Sequence, residues 1–141
     1  MQTTPHEQDD FENAFFYFVD ALKTLGLAAE AQCDQMGNYN VPWELRHDVS
    51  EGAMAITQAP ISYLGIEQAT RVMELVSALN ALPDEAIAPP GTLTDNHEDS
   101  LKAMRHPSWE PIRRQAIGVL QLLEPAIERN NRYFSDANSR H

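Results

Sequence analysis

Four side chains with acid–base or metal-ligating chemistry fall close together: Glu44, His47, Asp48 and Glu51, spaced i, i+3, i+4 and i+7. On an α-helix these positions share one face. Glu44 and His47 have the Glu-x-x-His spacing with which carboxylate-bridged di-metal bundles grip iron or manganese. Such a centre needs a second Glu-x-x-His and two further inward glutamates, and the chain has no second copy. His97 and His106, nine residues apart, add no ligand spacing. Three readings stay open: a metal site on Glu44 and His47, a solvated acidic face moderated by Arg46 and His47, or a recognition face for a basic protein partner.

Just upstream, Asn38-Tyr39-Asn40-Val41-Pro42-Trp43 joins two asparagines to two large aromatics. That is the composition of an interface hot spot, where rigid aromatic rings bury area at small entropic cost. The same residues also fit Asn38 following a Schellman-type helix ending, a cap at Asn40 and both aromatics packed in the core. His106-Pro107-Ser108-Trp109 repeats the pattern, with His106 read as structural. Cys33 is the only cysteine, which excludes an intrachain disulfide and a Cys-based zinc site. With no basic cluster beside it in sequence, it reads as an inert thiol. The chain lacks a Gly-rich phosphate loop, Gly-x-Ser-x-Gly, His-Glu-x-x-His and a basic–aromatic RNA motif, so no catalytic residue and no cofactor are expected.

The elements that position these groups are helices. Phe11, Phe15, Phe18, Leu22 and Leu25 repeat at four- and three-residue intervals and predict a helix over 10–36 that Gly26 bends or splits. Glu12, Asp20 and Lys23 face away from that stripe, and Phe16 and Tyr17 leave the helix aromatic around more than half its circumference, so it is either central to the core or part of a self-association surface. Asn40 and Pro42 open a second helix running to Thr57. A third spans 65–81, with Ile66, Ala69, Val72, Met73, Val76 and Leu79 on one stripe, and Pro83 stops it. Residues 83–95 hold three prolines and a glycine, a connection read as one extra helical turn or a functional loop carrying Asp84 and Glu85. A fourth helix starts near Asp95 with Leu101 and Met104 inward, and Ser108 caps a last helix that Pro125 kinks. No strand alternation or hairpin turn is present. The expectation is a single all-α bundle of four to five helices over 10–134, with flexible ends at 1–9 and 135–141.

At 141 residues the chain is about one domain long, and its net charge is −11. Residues 1–100 hold seventeen acidic and three basic side chains, a balance of −14, whereas 101–141 hold four acidic and seven basic. This charge argues against broad binding to nucleic acid or an anionic membrane. Some C-terminal arginines are expected to neutralise nearby carboxylates. No apolar run approaches the roughly 20 residues that span a bilayer. The first ten residues lack a signal-peptide layout, so the chain reads as cytoplasmic.

Met36 to Leu45, with Met104-Arg105-His106-Pro107-Ser108-Trp109-Glu110-Pro111, resembles a group of small bacterial helical proteins over most of residues 10–134. In size, charge and fold class the chain is also similar to the immunity proteins that neutralise bacterial polymorphic or contact-dependent toxins. That resemblance implies a non-enzymatic protein that binds a basic partner such as a toxin domain, and it transfers no functional residue. The residues placed on the partner surface are Tyr39, Trp43, Glu44, Asp48, Glu51, Asp84 and Glu85. The alternatives are a metal-using bundle at Glu44 and His47, or a structural homodimer joined through the Phe-rich first helix.

Overall fold

The Phe-rich stripe forms the helix around which much of the molecule packs. In the computed structural model, which describes residues 5–37, 40–93 and 96–139, it belongs to α1 (Pro5–Leu25). Phe11, Phe15, Phe18, Leu22 and Leu25 are all buried, as the spacing predicts. Glu12, predicted to face away from the stripe, is also buried.

The expected helix over 10–36 divides. Gly26 passes so close to a later helix that an added Cβ would lie 3.2 Å from Ile117 Cγ1. The Leu27 N–H folds back onto Thr24 O (3.1 Å). Gln32 Nε2 donates to Leu25 O (2.9 Å), satisfying a carbonyl that the helix end leaves open. α2 (Ala29–Met36) then ends at Gly37, whose φ of 74° suits glycine.

α3 (Val41–Thr57) begins as predicted: Asn40 Oδ1 accepts from Trp43 N (3.2 Å), and Pro42 occupies the first turn. Leu45, Val49, Ala53 and Ile56 are buried. α4 (Ile66–Asn80) starts where Gln68 Oε1 accepts the Gly65 N–H (2.8 Å). Ile66, expected on the buried stripe, is instead 89% exposed, one turn and more ahead of the buried Val72, Leu75, Val76 and Leu79. The 83–95 connection contains one helical turn, α5 (Asp84–Ile87), pinned by Trp109 Nε1 donating to Ala86 O (2.9 Å). α6 (His97–Met104) is capped by Asn96, whose Oδ1 accepts from Asp99 N (2.9 Å). The start expected near Asp95 falls outside the described residues.

The expected last helix also divides, into α7 (Trp109–Leu122) and α8 (Glu124–Ser139). Pro125 has no N–H to donate and its ring crowds the preceding turn, so the chain breaks at Leu123 and Pro125 enters the first turn of α8. Ser108 makes no side-chain cap; its N–H donates to His106 Nδ1 (3.1 Å). Residues 5–9 and 135–139, read as flexible ends, are helical.

The fold is all-α, with no strand among the described residues. There are eight helices among them rather than four to five, because two expected helices each break and the proline-rich connection holds a turn. α1 packs against α3, α7 and α8, α4 against α3 and α7, and α2 against α6. Buried Arg113 on α7 ties three elements together. It donates to Gln32 Oε1 on α2 (3.0 Å from Nη2), to Met104 O at the end of α6, and to Glu110 Oε2 (3.3 Å).

Candidate functional site

α1 and α3 come close where Gly52 meets Phe18: a Cβ on Gly52 would lie 3.1 Å from both Phe18 Cβ and Cδ1. Around this contact the two helices and the end of α2 bound an open groove of about 720 Å³. Its floor is small and apolar, made by Ala14, Phe18, Ala21, Leu45, Gly52 and Ala55. Its charged side chains are Asp20 from α1 and Asp48 and Glu51 from α3, joined by His47. No lysine or arginine lines it. Among the described residues Asp20, Asp48 and Glu51 have no ion-pair partner within 4.0 Å. At one end Gln35 Nε2 donates to Thr24 Oγ1 (3.1 Å), fastening α2 to α1; Tyr17, 69% exposed, stands at the side. Carboxylates gathered on a concave, low-dielectric wall focus a negative potential.

Trp43 borders this site. It is 44% exposed and lies flat on the His47 ring one turn along α3, with centroids 4.7 Å apart and an interplanar angle of 11°. A smaller hollow of about 320 Å³, lined by Trp43, Arg46, His47, Ser50 and Asn80, lies on its other side. His47 therefore forms a ridge between an acidic groove and a hollow holding one arginine.

The structure brings Asp48 and Glu51 into one groove, with Trp43 beside it. Glu44 is half-buried and lines neither hollow. Asp84 and Glu85 sit on α5, away from both, and Glu85 Oε2 is 4.0 Å from His106 Nε2. Tyr39 lies outside the described residues. Sequence reasoning missed Asp20, Tyr17, Thr24 and Gln35. Asp20 was legible as lying off the α1 stripe and Tyr17 as part of its wider aromatic surface, but nothing in the sequence says that α3 lies across from them.

Among the described residues, no three or more His, Cys, Asp or Glu side chains are grouped to hold a metal. Glu44 and His47 gain no third ligand, since His97 Nε2 faces Asp34 Oδ1 (3.8 Å) and His106 faces Glu85. Cys33 is buried, and burial first, then Asp34, pushes its thiol above the ordinary range. Carboxylates occur on all eight helices. Two are neutralised by arginines as expected, Glu30 by Arg105 and Glu110 by Arg113. Arg105 Nη2 lies 2.7 Å from Glu30 Oε1, and this hydrogen bond holds the Glu30 carboxyl below its ordinary range. Within the groove, Asp20, Asp48 and Glu51 stand together without an ion-pair partner among the described residues.

No protein-family model, curated protein or solved structure matches the chain. No helix among the described residues is long and apolar enough to cross a membrane.

Proposed function

We propose that this chain is a non-enzymatic binding protein whose α1–α3 groove receives a cationic segment of a basic protein and neutralises it, in the manner of a toxin-immunity protein. One observation carries the reading: the groove's carboxylate lining, Asp20, Asp48 and Glu51, is of one sign, and no lysine or arginine lines the groove with them. The apolar floor suits the methylene stems of lysine or arginine while the rim carboxylates meet their charged ends. Trp43 and Tyr17 supply exposed aromatic anchors on either flank, the residue types that dominate binding energy. The groove's imidazole is stacked flat on Trp43, which makes the pair a rigid aromatic edge for a partner to pack against. Asp84 and Glu85, remote from the groove, contribute to the long-range field that accelerates encounter.

The test is titration of the chain with the basic protein encoded beside it in its genome, at two salt concentrations. Replacing Asp20→Asn, Asp48→Asn and Glu51→Gln together is expected to weaken binding about a hundredfold and to flatten its salt dependence. Affinity and salt slope unchanged in that variant would overturn the assignment of the groove. No binding, together with no protection of cells from that neighbour, would overturn the function.

A further inference from the structure

α1 leaves another face uncovered, on the flank toward α8. Phe16 is 49% exposed, and its ring meets Tyr17 (centroids 5.6 Å apart) and Phe134 of α8 (5.8 Å); Phe134 in turn meets Tyr133 (5.4 Å). Exposed apolar side chains are ordinary when scattered singly, whereas a contiguous cluster marks an interaction surface. Asp9 stands seven residues before Phe16 and Lys23 seven residues after it, both exposed. At that heptad spacing the three lie along one stripe of the helix. Among the described residues neither Asp9 nor Lys23 has an ion-pair partner.

The pattern is self-complementary. A two-fold axis through Phe16, perpendicular to α1, lays a second α1 antiparallel on the first. Phe16 then meets Phe16, and Asp9, about 10 Å along the helix from the axis, meets Lys23 of the second copy; symmetry repeats the pair on the other side. Any other two-fold position along the stripe separates these charges. We propose that the Asp9–Phe16–Lys23 stripe of α1 is the interface of a homodimer, with a second copy of this chain as its occupant. The aromatic patch offers roughly 300 Å² a side, so the dimer is weak and depends on concentration. Tyr17 of the patch also stands at the side of the acidic groove, but Asp9, Phe16 and Lys23 do not line it, so variants at these three test the dimer apart from the basic-partner reading.

The experiment is sedimentation equilibrium of the full chain between about 1 µM and 0.5 mM, on the wild type and three variants. Asp9→Lys leaves two cations on the stripe and Lys23→Asp two anions; each is expected to weaken self-association about tenfold. An equimolar mixture of the two restores both opposite-charge contacts and forms a heterodimer of wild-type affinity. Phe16→Ser abolishes association. All three side chains are exposed, so each variant is expected to fold, and far-ultraviolet circular dichroism checks that helicity is retained. A wild type monomeric throughout the range overturns the proposal. So does a dimer indifferent to these changes, or a mixture that associates no better than its components.

Discussion

Glu12 is a buried carboxylate held by neutral donors: Gln8 Nε2 at 2.6 Å, Tyr63 Oη at 2.7 Å and Asn130 Nδ2 at 2.9 Å. Arg129 lies over the Tyr63 ring, 4.1 Å from its centroid, so the group joins α1, the α3–α4 connection and α8. Burial, then the hydrogen bond and charge of Glu12, push the Tyr63 hydroxyl well above the usual phenol value. The folded pKa therefore stands above the unfolded one, and Tyr63's contribution is complete below the unfolded value of about 10 and lost as pH rises beyond it. Tyr63→Phe is expected to cost about 1–2 kcal/mol in urea unfolding at pH 7, with the deficit shrinking above about pH 10. A deficit constant across that range would show that the hydroxyl does not couple to folding. Little of this was legible: Glu12 was read as facing away from the stripe, and only the neighbours brought by α8 and the α3–α4 connection give it reason to be buried.

Among the helices, close approach decides what a position tolerates. At Gly52 a methyl group would press on Phe18 at 3.1 Å, and both Cβ and ring would have to shift. Gly52→Ala is expected to destabilise by about 1–3 kcal/mol and to widen the groove between α1 and α3. Gly118 on α7 has nothing within 4 Å of an added Cβ. Gly118→Ala is expected to stabilise by about 0.5–1 kcal/mol through helix propensity. Thermal melts of the two variants check this opposition; equal effects would refute it. Sequence periodicity reads both glycines alike, because what distinguishes them is a neighbour distant in the chain.

Charge is a property of the whole molecule. The net value of −11 opposes compaction, and Asp48 and Glu51 are like charges at i, i+3 on α3. Neutralising Asp20, Asp48 and Glu51 is expected to raise stability by about 0.5–1 kcal/mol while weakening partner binding, with the gain fading at high salt. Chemical denaturation at low and high salt checks it. A loss of stability would mean that these carboxylates hold the fold together instead of serving a partner.

Helical class, the α1 stripe, the Asn40–Pro42 start of α3 and the clustering of Asp48 and Glu51 follow from the sequence itself. Each rests on local rules: side-chain periodicity, capping chemistry and one helix's geometry. The breaks at Gly26 and Leu123 had visible causes in glycine and proline, though their extent did not. Tertiary structure alone decided that Asp20 faces Asp48 and Glu51, that Asp84 and Glu85 lie elsewhere, that Glu12 is buried and that Ile66 is exposed. Those outcomes depend on which helices become neighbours, and long-range packing sets that where local periodicity is silent.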